Sequence, residues 1–263
     1  VKVVWTVHEF NDPKLYGGGK IPPISARILG RFFNAIITHC DSIKSEITKL
    51  FSLSDEDKVV VIPHGNYISC YENNLSRLQS REALGIPSES LVFLFFGSIY
   101  RYKGILETIK AFKSLQNNDV YLVIAGDVKE HDLKQVITDE IDDSKQILFL
   151  PQIVPNSKIQ LYMNACDSVI VPYKEFTTSG VIILAMSYGR VCIAPNLGFF
   201  SDVLDDSRAF LYDSTNEQGL LQAMKLAIEN KERLLEMGDR NLKLAEEWNW
   251  DYVAEKTLNV YNL

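Results

Sequence analysis

Short runs of almost uniformly apolar residues recur along this chain, separated by stretches with helical periodicity. Val3 to Val7, Ala35 to Thr38, Val59 to Ile62, Leu91 to Phe96, Tyr121 to Ala125, Ile147 to Leu150, Ser168 to Val171 and Val191 to Ala194 are rich in β-branched and aromatic side chains. Helices are expected between and after them near 22–33, 42–51, 80–84, 103–116, 129–139, 156–165, 179–188 and 217–247. Leu91 to Phe96 contains no polar position, so both faces of that strand must be covered. Strands apolar on both faces belong to parallel sheets enclosed by helix layers. The pattern therefore predicts an α/β fold with a doubly wound parallel sheet.

Charge and cysteine usage narrow the function. The 263 residues carry 27 Lys and Arg against 34 Asp and Glu, a formal net charge of −7, which excludes a protein built to coat nucleic acid. Apolar residues at 46% and charged ones at 23% are ordinary for a folded chain, and the length allows one large domain or two modest ones. Through Leu53 there are seven basic and four acidic residues, a surplus of +3, so the remainder carries −10. The densest apolar runs, Leu91 to Phe96 and Val181 to Met186, fall far short of the roughly 18 residues of a membrane span. Cys40, Cys70, Cys166 and Cys192 are scattered without a CxxC pair, which supports neither a disulfide framework nor a thiolate zinc site and fits a reducing cytoplasm. The chain opens at Val1 directly on VKVVWTVHEF and reads as starting inside a domain. Turn residues at Ile62-Pro63-His64-Gly65-Asn66, followed by the polar, poorly periodic stretch from Tyr71 to Ser80, mark a domain boundary. After Ala194 the pattern reads as nearly continuous helix, a packing cap without chemistry.

In an open parallel sheet, ligands bind beyond the carboxyl ends of the strands, which singles out four loops. Phe96-Gly97-Ser98-Ile99-Tyr100-Arg101-Tyr102-Lys103-Gly104 places a glycine and two cations before a helix N-terminus, suited to a phosphate; a solvated basic turn is the alternative. Pro172-Tyr173-Lys174-Glu175-Phe176-Thr177-Thr178-Ser179-Gly180 leads into the helix that begins at Val181. There, free backbone N–H groups suit an anion, and ordinary capping by Thr178 or Ser179 is the alternative. Two such loops together suggest a diphosphate. His8 in Thr6-Val7-His8-Glu9 suits contact with a substrate hydroxyl or acid–base work, with a satisfied structural histidine as the alternative. Gly126 in Ala125-Gly126-Asp127 suits close backbone approach to a ligand, or a plain turn. Gly17-Gly18-Gly19-Lys20 lacks phosphate-loop spacing. His39-Cys40-Asp41 is more simply a helix start than a nucleophile, and the stretch from Ile21 to Phe33 is expected to pack into the core in preference to a membrane surface.

These segments, in the order TVHE, IPHGNY, FFGSIYRYKGILETIKAF, YLVIAG, VPY and TTSGVIILAMSYGRVCIAP, resemble the GT-B glycosyltransferases of family 4 over nearly the whole chain. The resemblance implies a GT-B fold of two Rossmann-like domains. Residues 1–64 would be the last part of the N-terminal acceptor domain, 65–248 the donor-binding domain, and 249–263 a helix crossing back to the first. By the same resemblance Lys103 contacts the donor phosphates, and Arg101 substitutes for the arginine that usually follows the glycine, where this chain has Ser98. Gly97, Ser98 and Gly126 would lie against the nucleotide-sugar, and His8 near the transferred sugar. Thr177, Thr178, Ser179 and Gly180 would hold the distal phosphate, and Ile153 and Val154 would meet the base. The two-glutamate motif departs: Leu184 occupies the second position and Phe176, beside Glu175, the first, so the chain looks closer to a variant written PYxxxxxSGxxxxA in which Glu175 serves the sugar.

The resemblance further implies transfer of a hexose-type sugar from a UDP- or GDP-sugar, with retention and with neither metal nor cofactor. Lys103, Arg101 and the amides at 178–180 would stabilise the departing diphosphate. The acceptor would be a glycan or lipid-linked glycan of surface polysaccharide synthesis, and the setting the cytoplasm. The +3 N-terminal segment leaves room for peripheral contact with the inner membrane face. Leu184 keeps open a non-catalytic nucleotide-sugar binding or partner subunit, and a sugar-nucleotide epimerase of the same fold is the third possibility.

Overall fold

The computed structural model describes residues 2–8, 23–53, 58–174 and 176–262. In order, the first part comprises β1 (Val4–Thr6), α1 (Pro23–Phe32), β2 (Ala35–Thr38), α2 (Asp41–Phe51) and β3 (Val59–Val61). The second begins with α3 (Arg77–Leu84), β4 (Leu91–Phe96), α4 (Ile105–Leu115), β5 (Val120–Ala125), α5 (Leu133–Ile141), β6 (Ile147–Leu150) and α6 (Ile159–Ala165). It continues through β7 (Ser168–Ile170), α7 (Gly180–Ser187), β8 (Val191–Pro195), α8 (Gly198–Val203), β9 (Ala209–Tyr212), α9 (Gly219–Glu229), α10 (Leu234–Glu247) and α11 (Trp250–Tyr261). Among the described residues these strands form two all-parallel sheets, one in the order β1-β2-β3 and one in the order β6-β5-β4-β7-β8-β9. The second is a six-stranded doubly wound sheet whose strand order reverses between β4 and β7, the place where such sheets bind ligands. No helix of the described residues is long and apolar enough to cross a membrane.

Local sequence accounts for most of these elements. In α2, Ile43, Ile47 and Phe51 recur at four-residue spacing and are buried, which lays one face of the helix on the core. Ser76 and Gln79 form a reciprocal capping box that starts α3 inside the stretch expected to be irregular. Every residue of β4 is buried, as its apolar composition requires. The same reasoning explains α7, whose residues Ile182 to Ser187 are buried on all sides.

The chain departs from expectation at two places. The region after Ala194 is not continuous helix, because α8 and the edge strand β9 interrupt it and the stretch 217–247 is broken into α9 and α10 by a 3-10 turn at Lys231–Arg233. The run Ala209-Phe210-Leu211-Tyr212 is long enough for an edge strand but too short to stand out from helical periodicity. The α1 stretch is not wholly packed: Ile28, Leu29 and Phe32 are exposed among the described residues, while Phe33 beyond it stacks on Trp5 at 5.2 Å.

The two sheets are joined by chain crossings that Asn66 holds together. Its backbone N–H donates to the Trp248 carbonyl (2.9 Å), its side-chain amide donates to the Ala245 carbonyl (2.7 Å), and its own carbonyl accepts from the Trp250 indole (2.8 Å). Val260 of α11 is buried with Ala35, Ile37 and Ile62 of the first part. A second tie comes from α8. The N-terminus of α2 has no side-chain cap of its own, and its Ser42 N–H donates instead to Asp202 (2.7 Å), so a carboxylate of the second part caps a helix of the first.

Candidate active site

The loops after β4 and β7 lie against each other at the point where the sheet order reverses. A Cβ on Gly104 would stand 2.5 Å from the Pro172 carbonyl oxygen, and Gly104 has φ +73, so only glycine lets the β4 loop close on the β7 loop. The Lys174 N–H donates to the Tyr102 carbonyl (3.0 Å), and the Lys174 ammonium pairs with Glu107 of α4 (2.6 Å). Between the loops, the Lys103 Nζ sits 5.0 Å from the centre of the Tyr173 ring and 5.9 Å from that of Tyr100, within range of cation–π attraction. Lys103 is thus placed by two aromatic rings, one from each loop.

Beside this lysine lies the N-terminus of α7. Ser179 precedes the helix in an extended conformation and gives no side-chain cap, so the first-turn N–H groups lack that acceptor. The Ser179 and Tyr173 hydroxyls are buried without a hydrogen-bond partner of good geometry, and burial pushes the Tyr173 phenol well above its ordinary range. A Cβ on Gly97 would stand 3.5 Å from Val181 Cγ2, so Gly97 after β4 adjoins the same helix end. Lys103, the first-turn backbone N–H groups of α7 and the small residues after β4 together make a combination suited to an anion.

The other expected residues divide. Thr178 Oγ1 donates to the His8 carbonyl (3.4 Å), which brings the end of β1 against the turn that begins α7. Arg101 is engaged elsewhere: its side chain pairs with Glu130 (3.1 Å) and Asp132 (2.5 Å), so it meets a phosphate only by exchanging these carboxylates. Gly126 is required by backbone packing, because a Cβ there would lie 1.7 Å from the Gly97 carbonyl oxygen. Ile153 is 72% exposed beyond the end of β6, and Val154 is partly buried against the core. Thr177 is buried. Glu175 lies outside the described residues.

Three groups near the cleft had no part in the expected site. His39 follows β2 directly and His64 follows β3 by three residues, as His8 follows β1, and the three imidazoles form a row: ring centres are 5.0 Å apart for His8 and His39 and 5.8 Å for His39 and His64. Tyr67 continues the row at 5.6 Å from His64, and its hydroxyl lies 3.1 Å from where a Cβ on Gly180 would stand. Burial, reinforced by His8 and His64, pulls the His39 pKa down to about 4 against the favourable bond to Ile62, and burial also lowers that of His64. The available signal was a histidine after each of three consecutive strands. The neighbouring Cys40 thiol is pushed up to about 12, chiefly by burial, and is no nucleophile at neutral pH. Among the described residues no group of three His, Cys, Asp or Glu side chains is arranged to hold a metal ion.

Two parallel sheets of this kind, the second doubly wound with its cleft at the strand-order reversal, define an α/β fold of GT-B type. Residues 76–243 match the glycosyl transferases group 1 family, and the chain belongs to it. An uncharacterised glycosyltransferase of Methanocaldococcus jannaschii is 25% identical over 237 residues, which cover 87% of this chain and 60% of that protein. The alpha-maltose-1-phosphate synthase of Mycolicibacterium smegmatis is 22% identical over 94% of this chain and 68% of its own length. Among solved structures, Anabaena HepE in complex with UDP and glucose superposes with a TM-score of 0.82 at 18% identity, over 99% of this chain and 71% of that one. The chain thus spans about 60% of the length of the archaeal relative.

Proposed function

We propose that the protein is a retaining glycosyltransferase of the family-4 kind, moving a hexose-type sugar from a UDP- or GDP-sugar to a glycan or lipid-linked glycan of surface polysaccharide synthesis. The observation that carries this reading is the closure of the β4 and β7 loops around Lys103, beside the side-chain-uncapped N-terminus of α7. That constellation suits a diphosphate, and HepE, a structural neighbour of the same fold, has been seen with UDP and glucose. In this reading the diphosphate lies between Lys103 and the amides at 178–180. Negative charge developing on the leaving group then meets fixed donors that need no reorganisation. Gly97, Ser98 and Gly126 shape the floor, Ile153 and Val154 meet the base, and Glu175 serves the sugar. His8 faces the transferred sugar across the contact with Thr178. A phosphate oxygen of the departing nucleotide takes the acceptor's proton, and no metal is required. Arg101 contributes if the incoming phosphate displaces Glu130 or Asp132.

One observation favours a second reading, a nucleotide-sugar binding subunit without turnover. Leu184 is buried in the core on α7, so no carboxylate at that position reaches a ribose. Calorimetric titration with UDP, GDP and ADP, with and without EDTA, tests the donor site. The reading predicts EDTA-insensitive binding of one nucleotide in preference to the others; no binding of any of them would overturn it. Transfer by the full-length protein, followed by the anomeric configuration of the product, separates the two readings: turnover with retention supports the enzyme, and binding without turnover supports the subunit.

A further inference from the structure

The histidine row at the carboxyl edge of the first sheet has a consequence for hydrogen-bond direction. His39 Nδ1 lies 2.9 Å from the Ile62 carbonyl oxygen. A carbonyl only accepts, so Nδ1 of His39 carries the hydrogen. His39 is neutral near pH 7, since burial and the neighbouring His8 and His64 oppose its charge, and its Nε2 therefore holds a lone pair. That nitrogen lies 3.4 Å from Nδ1 of His8. The contact is a hydrogen bond only if His8 donates from Nδ1, and in the neutral form of His8 that leaves Nε2 bare. His64 follows the same pattern, its Nδ1 lying 2.7 Å from the Gly65 carbonyl oxygen. His64 packs on His39 at 5.8 Å and itself carries the rings of Tyr67 and Trp250, while Nε2 of His39 is the ring nitrogen within hydrogen-bond distance of His8 Nδ1.

We propose that His39 is a positioning residue that holds His8 in its Nδ1–H form, so that His8 presents a hydrogen-bond acceptor, not a donor, to a hydroxyl of the sugar or its acceptor. This rests on the assignment of the cleft to a sugar nucleotide, and it adds the sense of the contact: the substrate hydroxyl donates to His8 Nε2. A substrate whose hydroxyl at that place is replaced by hydrogen or by an ether oxygen loses the bond, whereas one with any donor there keeps it.

Long-range proton–nitrogen correlation spectra of the histidine-labelled chain, recorded at about pH 8 where an ordinary histidine is neutral, read the tautomers directly. The expected result is the Nδ1–H pattern for His8 and His39 in the unaltered protein. His39→Phe is expected to release His8 to the Nε2–H form that a solvated histidine favours. His39→Gln, whose amide oxygen can accept where Nε2 stood, is expected to hold the Nδ1–H form. An Nε2–H pattern for His8 in the unaltered protein, or a His8 tautomer indifferent to His39→Phe, would overturn the proposal. The spectra need no nucleotide, so failure of the donor-site assignment in the calorimetric titration is distinguishable from failure of this one.

Discussion

Arg81 is the largest fully buried side chain of the described residues, 1% exposed, and its removal is expected to be the most destabilising single truncation outside the apolar core. Its Nε donates to the Ala165 carbonyl (3.0 Å), Nη1 to those of Ser88 and Ser90 (2.6 Å each), and Nη2 to Asp167 (2.7 Å). The fork therefore ties α3 to the loop before β4 and to the turn between α6 and β7. Arg81→Ala leaves three carbonyls without these donors. Asp167 keeps the Val92 N–H and Arg77. Breaking a buried pair costs about 3–5 kcal/mol, and because Asp167 retains two partners the lower end, about 3 kcal/mol, is expected. At about 2–4 °C per kcal/mol for a chain of this size, the thermal midpoint falls by roughly 6–12 °C. Arg77 touches the same carboxylate but is 49% exposed, so Arg77→Ala is expected to cost no more than about 1 kcal/mol. Urea unfolding of the two variants checks this. Equal losses for Arg77→Ala and Arg81→Ala, or a loss below about 1 kcal/mol for the latter, would refute the argument.

Three further outcomes follow from particular contacts. The unfolded chain takes up a proton at His39 near pH 6.5, whereas the folded chain refuses it until about pH 4. Stability is therefore expected to fall as pH drops through that window, by up to about 3 kcal/mol from this site, and His39→Phe should flatten the pH dependence of the urea midpoint. Asp202→Ala removes the cap that α8 supplies to α2 and should cost about 1 kcal/mol, with faster amide exchange confined to the first turns of α2; unchanged exchange would deny the cap any role. Gly126→Ala drives a methyl into the Gly97 carbonyl, so a loss of about 1–3 kcal/mol is expected. Gly85→Ala, where nothing lies within 4 Å, should cost only the left-handed backbone penalty of about 1–2 kcal/mol.

The parallel α/β architecture was legible because its strands are apolar on both faces, a pattern that sheets with a solvated face do not produce. Leu91 to Phe96 alone predicts a central strand, and β4 occupies that place. The edge strand β9 was not legible, since four residues ending in Tyr212 merge with the helical periods around them. At the cleft, the two loops flanking the strand-order reversal could be found from glycine and cation placement. The engagement of Arg101 by Glu130 and Asp132 could not, because the partners lie 29 and 31 residues away and nothing in local spacing brings them together. His39 and His64 were visible as residues but not as a row, because their neighbourhood depends on the register in which β1, β2 and β3 pair.

In the proposed function, the cleft between the β4 and β7 loops takes a nucleoside diphosphate on Lys103, and calorimetric titration of the unaltered chain and of Lys103→Ala with the nucleotide that binds reads that contact. A hydrogen bond from a charged group contributes about 1.5–3 kcal/mol, so the dissociation constant is expected to rise roughly 10- to 150-fold in the variant. An affinity within about twofold of the unaltered chain would contradict it.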